Sequence, residues 1–412
     1  MIADVIVGAQ WGDEGKGKVV DFLAQKYSAT VRFNGGPNAG HTVYANGLSF
    51  TFHQIPSGAL SGSKLYVTSG VLINPEVFRE EVVKLKRIVG DMYLKVDHRA
   101  FLITPADVEL DKKIEDLKGA SSVGTTLRGI GPASSSRALR ISPRVKDVLK
   151  GSYDGDIYEK LYGIKFDWRE FAKAAKEALE PYASDVREEL LGLLERGEKV
   201  LFESAQGTLL DPQFGTYPFV TSTNTTSAYA FVSSGVPMKY AGKVIGVLKA
   251  YTTRVGKGPM PTEAEESVAS VIREKGKEYG ATTGRPRRIG WLDLPAIKYA
   301  VSINGIDELF ITKLDVLSGL RELKVAVAYK VLGRERESIS SDFELDEAEP
   351  VYQNLEPLPK MDESEMARIV KKGWSAAPRQ LKDYVEFIEE STRVKVSYVS
   401  LGPEREMTVK VE

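Results

Sequence analysis

The N-terminal segment constrains the fold most, because an apolar run leads directly into a glycine-rich loop and then into a helical pattern. Residues 2–7 are predicted to form a buried first strand. The loop ends in GDEGKGKV, residues 12–19, and residues 16–26 carry apolar side chains at helical spacing. A strand, a glycine-rich turn and a helix form the context that a phosphate-binding loop requires. The segment therefore predicts an α/β protein that binds a phosphorylated ligand.

This loop departs at one position from that of nucleotide-hydrolysing proteins. It fits G-x-x-x-x-G-K, but Val19 stands where those proteins have the Ser or Thr that holds magnesium. Two carboxylates, Asp13 and Glu14, lie inside the loop. Because hard cations take oxygen ligands, a carboxylate can replace the hydroxyl as a magnesium ligand. Alternatively, Asp13 or Glu14 caps the start of the helix.

Strand-like and helical patterns alternate along the rest of the chain, which favours an α/β layered fold with a largely parallel sheet. No linker interrupts the pattern, so we predict one large domain over residues 1–412, with a helical insertion at about residues 151–196. Further predicted strands are 30–33, 64–67, 199–203, 243–249, 308–312, 323–329 and 395–400. Further predicted helices are 75–89, 168–179, 184–195, 263–277, 294–301 and 378–390.

The charge balance and the absence of cysteine exclude several functional classes. The chain carries 56 basic and 57 acidic residues, so no global field favours nucleic acid or an anionic membrane. Any anion-binding site must therefore be local. With no Cys, the chain has no disulfide, thiolate nucleophile or thiolate-bound metal. No leader or long apolar span is visible, and we expect a cytoplasmic location.

Seven polar, glycine-rich loops recur along the chain, and we expect them at the ends of strands. Loops at the carboxyl ends of parallel strands line the ligand crevice of such folds. Any one of them could be an ordinary turn, but their number favours a site that surrounds a polar, phosphorylated ligand. They are residues 34–42, 121–140, 203–211, 220–227, 253–262, 281–290 and 312–315.

Seven strings within these segments resemble the adenylosuccinate synthetase family, from Asp4 to about Gly402. They are QWGDEGKGKVVD, GGPNAGHT, GTTLRGIGPA, AQGTLLD, GTYPFVTSTNTT, ATTGRPRRIGWLD and TKLDVLSG. The resemblance implies a GTP-dependent ligation of IMP and L-aspartate that yields adenylosuccinate, GDP and phosphate through 6-phosphoryl-IMP, the first committed step from IMP to AMP. It also implies GTP as co-substrate, one Mg²⁺ per subunit, a large α/β fold and a homodimer.

The chemistry of that reaction assigns roles to two loop residues. The C6 oxygen of hypoxanthine is a poor leaving group, so it must be phosphorylated, and a base must remove the N1 proton as O6 attacks the γ-phosphoryl group. We predict that Asp13 is this base. The resemblance implies that Asp13 also binds the metal, together with the carbonyl of Gly40. Among the three histidines, His41 stands in a glycine loop and is our choice of general acid, whereas His53 and His98 are expected to be structural or peripheral.

The segment FITKLD predicts the guanine pocket. A carboxylate accepts from both N1–H and the N2 amine of guanine, which adenine cannot offer, so Asp315 would select GTP while the stem of Lys313 lies over the base. Lys313 and Asp315 could instead form an ordinary ion pair at a strand end. Together with the family resemblance, which implies Arg287, Ser400 and Gly402, the predicted GTP-binding residues are Gly12, Asp13, Glu14, Gly15, Lys16, Gly17, Lys18, Gly40, His41, Thr42, Arg287, Lys313, Leu314, Asp315, Ser400, Leu401 and Gly402.

The resemblance also implies residues for the other two substrates. For IMP they are Asp13, Glu14, Gly15, Lys16, Asn38, Ala39, Gly40, His41, Thr126, Arg140, Gln206, Thr221 and Arg285. For aspartate they are Ala281, Thr282, Thr283, Gly284, Arg285, Pro286 and Arg287. Arg140 is expected to reach the IMP phosphate of the other subunit, although Arg137 could take that role. Pro286 interrupts what is often a longer basic run in the family.

Two other functions fit parts of the sequence. A GTP-controlled switch protein needs a D-x-x-G element after a strand, and the only such string in the sequence, residues 116–119, ends a charged helical segment. Such proteins also need the hydroxyl that Val19 replaces. The second alternative is a nucleotide-dependent ligase that uses another acceptor or another amine. Only the family resemblance of the loops ATTGRPR and NAGHT favours IMP and L-aspartate over this alternative.

Overall fold

The structure is a computed structural model that describes residues 2–45, 47–280, 284–339 and 342–411. Within these ranges the chain forms a ten-stranded sheet, four smaller sheets and thirteen α-helices. In chain order the strands are β1 Ala3–Gly8, β2 Ala29–Arg32, β3 His41–Ala45, β4 Leu48–Phe52, β5 Lys64–Val67, β6 Leu72–Ile73, β7 Leu94–Asp97, β8 Phe101–Leu102, β9 Ala183–Ser184, β10 Val200–Glu203, β11 Ala241–Lys249, β12 Thr252–Arg254, β13 Arg288–Gly290, β14 Leu292–Asp293, β15 Glu308–Thr312, β16 Leu323–Val331, β17 Arg334–Arg336, β18 Glu349–Leu355, β19 Lys395–Ser400 and β20 Thr408–Lys410.

The helices cover the sheet and connect its strands. They are α1 Lys16–Ala24, α2 Pro75–Val89, α3 Pro105–Lys118, α4 Ile130–Ala138, α5 Val145–Lys150, α6 Asp156–Tyr162, α7 Trp168–Leu179, α8 Val186–Glu195, α9 Tyr229–Ser234, α10 Glu266–Gly276, α11 Leu294–Asn304, α12 Glu363–Lys372 and α13 Arg379–Thr392. No helix in the described ranges is long and apolar enough to cross a membrane.

The large sheet runs β20-β19-β15-β11-β1-β10-β2-β5-β7-β9, and every pairing except β19 with β20 is parallel. This confirms the predicted α/β fold. Because the strands are parallel, their carboxyl ends meet at one edge of the sheet. The loops after β1, β2, β10, β15 and β19 therefore collect on that edge, and five of the predicted site segments begin there, whereas residues 253–262 begin within β12.

Both faces of the sheet are buried, as a parallel sheet requires. On β1, Val5 and Val7 join the largest core cluster, whereas Ile6 points to the opposite face. Val19 and Val20 of α1 pack on that second face beside Ile6. The loop between β1 and α1 is thus held by apolar contacts at both of its ends.

Most sequence-predicted elements are present, with ends shifted by a few residues. The predicted helices 75–89 and 168–179 match α2 and α7. The prediction for residues 121–140 was wrong in part: we treated the segment as one polar loop, but residues 130–138 form α4. Ile130 and Ala133 of α4 are buried against neighbouring elements, and this tertiary packing overrides the weak helix propensity of its Gly, Pro and Ser residues.

The charged region after residue 150 does not stand apart from the sheet. Helix α7 packs against α2 and α5, while α8 places Val186 and Leu190 in the largest core cluster. Strand β9 extends the large sheet beyond β7. This packing supports the prediction of one large domain, which stays a prediction. The string at residues 116–119 lies at the end of α3 and does not follow a strand, so it lacks the context of a GTPase switch element.

Candidate active site

The loop between β1 and α1 is shaped by glycines and by a buried carboxylate. Gly12, Asp13 and Gly15 all adopt positive φ values of 87°, 60° and 84°. The Glu14 side chain is fully buried and accepts hydrogen bonds from the backbone N–H groups of Gln10 (3.1 Å) and Gly12 (2.9 Å). Its other oxygen pairs with Lys16. Glu14 therefore fixes the shape of the loop from inside.

Val19 explains why this loop has no hydroxyl ligand for a metal. Its side chain is fully buried in the apolar cluster with Ile6 and Phe310. A hydroxyl placed there would lie among aliphatic and aromatic groups without an obvious polar partner. Of the two carboxylates in the loop, that of Glu14 is fully buried and that of Asp13 is partly exposed, so Asp13 is the one that can offer oxygen atoms to a ligand.

The Asp13 carboxylate keeps about a third of its surface exposed, as the relative exposure of 32% shows. Its Oδ2 lies 2.8 Å from Nε of Arg287. The Arg287 Nη1 atom in turn lies 2.5 Å from Oε2 of the buried Glu278. The predicted base is thus accessible, and it is also held by a guanidinium from a different loop.

His41 lies at the start of β3, in a buried network that the sequence did not reveal. Its Nδ1 is 2.6 Å from Oε1 of Glu203, and Nη1 of Arg32 is 2.7 Å from the same oxygen. Ser57 adds two further hydrogen bonds to Glu203, one from its backbone N–H and one from its hydroxyl. Because a carboxylate only accepts, Nδ1 carries the proton and Nε2 is left for a ligand.

Burial dominates the electrostatics of this network. Burial and the adjacent Arg32 lower the pKa of His41 to about 4, although Glu203 acts in the opposite direction. Burial alone would raise the pKa of Glu203, but Arg32 and His41 lower it to about 2. The Glu203 carboxylate is therefore a fixed negative charge that holds one tautomer of His41.

Two amide side chains carry buried polar atoms that lack a hydrogen-bond partner among the described residues. Oδ1 of Asn38 and both amide atoms of Gln206 are buried, and none of them has a hydrogen-bond partner among the described residues. Gln206 also has a positive φ of 58°. An unpaired buried polar atom costs about 1–3 kcal/mol, so these three atoms are candidates for hydrogen bonds to a ligand. Thr126 and Thr221, also predicted for IMP, are half-buried.

The predicted guanine pocket lies next to the loop after β1. Thr312, the last residue of β15, donates its hydroxyl to the carbonyl of Glu14 at 2.5 Å. Lys313 then adopts a positive φ of 61°, and the segment 314–317 forms a turn of 3-10 helix. Asp315 is half-buried, and burial raises its pKa against the opposing effect of Lys313 and Lys18.

Lys18 joins this pocket to the segment after β19. Its Nζ lies 2.5 Å from Oγ of Ser400 and 2.7 Å from the carbonyl oxygen of Gly402. Burial lowers the pKa of Lys18 to about 7. The same segment is fastened to α1, because Arg405 contacts both carboxylate oxygens of the buried Asp21 at 2.5 and 2.7 Å. The two predicted guanine-binding segments, residues 313–315 and 400–402, therefore lie on either side of the loop and helix that carry Lys18.

The predicted aspartate loop is described only at its stem. Ala281, Thr282 and Thr283 lie outside the described residues. Below them, the N–H of Gly280 donates to the carbonyl of Arg285 at 2.8 Å, and the N–H of Arg287 donates to the carbonyl of Glu278 at 2.9 Å. Nη2 of Arg285 lies 3.4 Å from the carbonyl of Gly124, which places the loop beside the segment that carries Thr126.

The two candidates for the cross-subunit arginine differ in their surroundings. Arg137 is held within its own chain, with Nη1 3.3 Å from the Tyr229 hydroxyl and its guanidinium 5.3 Å from the centre of the Phe101 ring. Arg140 is exposed and has a positive φ of 64° at the end of α4. Of the other histidines, His53 donates from Nδ1 to the carbonyl of Ala39, next to the predicted IMP residues, and His98 is half-buried.

Sequence reasoning missed several residues that organise the site. Arg32, Glu203, Lys249 and Glu278 are all fully buried and charged. The first three lie in or at the end of otherwise apolar strands, in ATVR, VLFE and GVLK. A charged residue in such a strand is a usable signal, because buried charges need partners. Glu278 lies in a polar loop and gives no comparable signal.

Among the described residues, no cluster of three or more His, Asp or Glu side chains could by itself hold a metal ion. Asp13 nevertheless fits Mg²⁺, which is usually bound through one or two carboxylates and through substrate phosphates. The accessible carboxylate of Asp13 and the backbone carbonyl of the half-buried Gly40 are hard oxygen donors of the required kind.

Comparisons with known proteins agree with this geometry. The family model described as adenylosuccinate synthetase matches residues 5–409. The chain is 45% identical to the adenylosuccinate synthetase of Caldicellulosiruptor bescii over 421 residues, covering 97% of each chain. It is 44% identical to that of Desulforamulus reducens, covering 99% of this chain and 98% of the relative.

Solved structures extend the agreement to three dimensions. The fully ligated adenylosuccinate synthetase from Plasmodium falciparum superimposes with a TM-score of 0.92 at 35% identity, over 100% of both chains. A cyanophage S-2L succinoaminodeoxyadenylate synthetase shares the fold, with a TM-score of 0.64 at 19% identity over 99% of this chain and 95% of that one. With the family model matching nearly the whole chain, this chain belongs to the adenylosuccinate synthetase family, whose members ligate IMP and L-aspartate at the expense of GTP.

Proposed function

We propose that this chain ligates IMP and L-aspartate through a 6-phosphoryl-IMP intermediate, with Asp13 as the base and His41 as the acid. The observation that carries the proposal is the set of buried, unpartnered amide atoms of Asn38 and Gln206. Gln206 lies directly against the loop that presents Asp13, because a Cβ built on Gly12 would lie 3.7 Å from the Cα of Gln206. An amide offers donors and an acceptor, which suit the O6 and ring nitrogens of a purine.

In the first step Asp13 takes the proton from N1 of IMP. The electron pair of the N1–H bond moves into the ring, and O6 attacks the γ-phosphorus of GTP as the bond to the β-phosphate oxygen breaks. GDP leaves, and C6 now carries a phosphate that can depart. In the second step the amine of L-aspartate attacks C6, phosphate is released, and a proton from the amine is lost to solvent.

His41 would donate to the phosphoryl group as charge develops on it. Glu203 holds the proton on Nδ1, so Nε2 is the atom that can face the γ-phosphate. Burial and the adjacent Arg32 lower the pKa of His41 to about 4. A negatively charged phosphoryl group beside Nε2 favours the imidazolium and would raise this pKa, so that His41 can bring a proton to the transferred group.

Asp13 and the carbonyl of Gly40 would hold Mg²⁺ together with phosphate oxygens of the nucleotide. When bound, the ion neutralises charge on the transferring phosphoryl group. Arg287 pairs with the same carboxylate. Arg287 must therefore release Asp13, or share it, when the substrates and the ion are present.

Asp315 would select guanine by accepting from N1–H and the N2 amine. Its burial favours this role, because hydrogen bonds are stronger where water is excluded. The ion-pair alternative loses support, since Lys313 donates to the carbonyl of Gly276 and lies 3.7 Å from Oε1 of Glu278. Lys18, Ser400 and Gly402 border the same pocket from the other side.

We further propose a cytoplasmic homodimer in which Arg140 binds the IMP phosphate of the partner. The exposure of Arg140 and the engagement of Arg137 with Tyr229 and Phe101 support Arg140 for this role. A planar guanidinium is suited to bidentate phosphate binding. The remaining loop residues, including Thr126, Thr221 and Arg285, would complete the IMP pocket, and residues 281–287 would bind L-aspartate.

The experiment that tests the function combines the purified chain with IMP, L-aspartate, GTP and Mg²⁺ and follows the purine absorbance. The spectrum should shift only when all four are present, and one GDP and one phosphate should form per adenylosuccinate. Replacing L-aspartate by ammonium ions, or GTP by ATP, should abolish most of the change. A shift that is independent of L-aspartate would contradict the proposal.

A further inference from the structure

The segment between α3 and α4 carries Thr126 of the predicted IMP pocket, but it forms neither helix nor strand over residues 122–129. Gly124, Leu127 and Gly129 have positive φ values of 76°, 54° and 76°. Leucine rarely adopts such a backbone conformation. Groups outside the segment must therefore hold its backbone in place.

Two carboxylates of α3 bind this backbone. Oε2 of Glu115 accepts from the N–H groups of Gly124 at 2.9 Å and of Thr125 at 3.3 Å. One turn earlier, Oδ1 of Asp111 accepts from the Thr125 hydroxyl at 3.1 Å, and Oδ2 accepts from the N–H of Gly129 at 2.9 Å. Because residues four apart lie on the same face of a helix, the two carboxylates form one row of acceptors along the segment.

These hydrogen bonds lie on both sides of Thr126 in the chain. Before it, Thr125 is bound through its N–H and its hydroxyl. After it, the N–H of Leu127 donates to the Thr125 hydroxyl at 3.3 Å, and Gly129 is bound by Asp111. Thr126 is half-buried and takes no part in these bonds. The carboxylates therefore fix the neighbours of Thr126 and leave its side chain available to a ligand.

The acceptors are shielded from water, which strengthens their hydrogen bonds. Asp111 is 5% exposed, and the Glu115 side chain is 10% exposed. Burial by itself raises the pKa of Glu115, but the N–H groups of Gly124 and Thr125 and the nearby Lys118 lower it below its ordinary value. Glu115 is therefore ionised at neutral pH, and hydrogen bonds to an ionised acceptor are stronger than neutral ones.

The far end of the segment packs directly against the start of α3. A Cβ atom built on Gly129 would lie 2.9 Å from Cγ2 of Ile103 and 3.0 Å from the backbone nitrogen of Val108. A side chain at this position would displace the backbone of the helix. The segment is therefore docked on α3 from Gly124 to Gly129, and the two carboxylates supply the polar part of this contact.

We infer that Glu115 and Asp111 are positioning residues for IMP, because they hold residues 124–129 in the arrangement that presents Thr126. The inference rests on the proposed role of Thr126. The apparent affinity for a ligand falls with the fraction of molecules that have the binding-competent arrangement. Loss of an acceptor should therefore raise the KM for IMP, whereas kcat at saturating IMP is kept because bound IMP selects the held arrangement.

The test compares two replacements of Glu115. Glu115→Gln keeps an oxygen that can accept from both N–H groups, and it loses mainly the partly exposed pair with Lys118, which is worth little. Glu115→Met has a similar length and helix propensity but no comparable acceptor. Steady-state kinetics give kcat and the KM of each substrate, and thermal unfolding checks that both variants are folded.

In Glu115→Met the KM for IMP should rise roughly 10-fold, as expected if the held fraction falls from near one to about a tenth. In Glu115→Gln it should stay within about 3-fold of the natural value, and in both variants kcat and the KM values for GTP and L-aspartate should change by less than about 2-fold. A natural KM for IMP in Glu115→Met would overturn the inference. Equal defects in both variants would also overturn it, because the charge and not the hydrogen bonding would then be responsible.

Asp111 provides an independent pair of variants, which also decides the matter if Glu115→Met does not fold. In Asp111→Asn the amide oxygen can accept from the N–H of Gly129, and the amide nitrogen can donate to the Thr125 hydroxyl. Asp111→Ala can do neither. The KM for IMP should therefore rise in Asp111→Ala and stay near the natural value in Asp111→Asn. An unchanged KM for IMP in Asp111→Ala would contradict the positioning role.

A matched control for stability is Asp293 in β14, which is also fully buried and is bonded to the Tyr329 hydroxyl and the N–H of Ala296. Asp293→Asn should lower the melting temperature and leave the KM for IMP unchanged. A rise in the KM for IMP in this variant, as large as that in Glu115→Met, would show that general destabilisation is sufficient, against the inference.

Thr126→Val tests the proposed IMP contact separately, because valine has the shape of threonine without its hydroxyl. A raised KM for IMP in Thr126→Val together with a natural KM in Glu115→Met would refute only the positioning role. A natural KM in Thr126→Val would refute the IMP contact of Thr126 and the inference that rests on it. Failure of the proposed function is distinct from both, since the natural chain would then form no adenylosuccinate.

Discussion

Nε of Arg287 lies 2.8 Å from Oδ2 of Asp13, so the carboxylate proposed as the base is paired with a guanidinium. Arg287 comes from the stem of the aspartate loop, and Asp13 comes from the loop after β1. In the proposed reaction this contact opens or is shared when IMP and Mg²⁺ reach Asp13. The pair therefore links the stem of the proposed aspartate loop to the proposed base.

Replacement of Asp13 by alanine should abolish turnover without unfolding the chain. The side chain is partly exposed, so its removal creates no core cavity, and Arg287 keeps its contact with Glu278. Steady-state assays with all three substrates measure the loss, and thermal unfolding checks the fold. Near-normal turnover in a folded Asp13→Ala chain would show that another group removes the N1 proton.

His41→Asn should retain a donor near the phosphoryl group but lose the capacity to transfer a proton. General acid catalysis is typically worth ~10²–10⁴-fold, so kcat should fall by about that factor while substrate binding changes less. Separate determination of kcat and each KM decides the point. A defect confined to the KM values would reduce His41 to a group that orients substrate.

The free energy of unfolding should fall as the pH falls through the window set by His41. Its folded-state pKa of about 4 lies below the ordinary value of 6.5, so the unfolded chain binds more protons between these two values. The contribution of His41 to the free energy of unfolding is complete above pH 6.5. Between pH 6.5 and pH 4 it decreases by roughly 1.4 kcal/mol for each unit by which the pH falls.

His41→Asn lacks this titration and serves as its control. Urea unfolding of both chains at pH 7, 5.5 and 4 should show the stability advantage of the natural chain over the variant shrinking steadily with acidification. A difference between the two chains that stays constant over this range would mean that His41 is not held neutral by burial.

Asp315→Asn should move the nucleotide preference from GTP toward XTP. The amide donates to the carbonyl that xanthine has in place of the N2 amine, whereas it faces that amine in guanine as a second donor. GTP should bind worse by roughly 2–4 kcal/mol, taking about 1.5–3 per bond to a charged group with partial compensation. Steady-state kinetics of the natural chain and the variant with GTP, XTP and ATP measure this change in nucleotide preference. Equal loss with every nucleotide would make Asp315 a structural residue.

The sequence was sufficient for the elements whose ends carry local signals. Helix α2 begins after Asn74 with Pro75, and Asn74 accepts from two backbone N–H groups; α7 likewise follows the capping residue Asp167. Helix α4 was missed because its Ser, Gly and Pro residues resemble a loop and only tertiary contacts make it helical. Such contacts are invisible to local patterns.

Local sequence patterns also fail to reveal which residues hold the candidate catalytic side chains in place. The glycine loops and their strand context predicted the position of Asp13 and His41 at one edge of the sheet. The partners that hold these residues come from distant parts of the chain, as with Glu203 for His41, 162 residues away, and Glu278 for Lys249. No spacing rule connects such pairs, because the fold alone brings them together.

The central claim is that O6 of IMP becomes the oxygen of a departing phosphate, and isotope transfer tests it directly. IMP labelled with ¹⁸O at C6 is converted by the natural chain with GTP and L-aspartate, and the inorganic phosphate is examined by mass spectrometry. One ¹⁸O atom per phosphate is the predicted result, because O6 attacks the γ-phosphorus and leaves C6 with it. Unlabelled phosphate together with ¹⁸O in water would contradict the account.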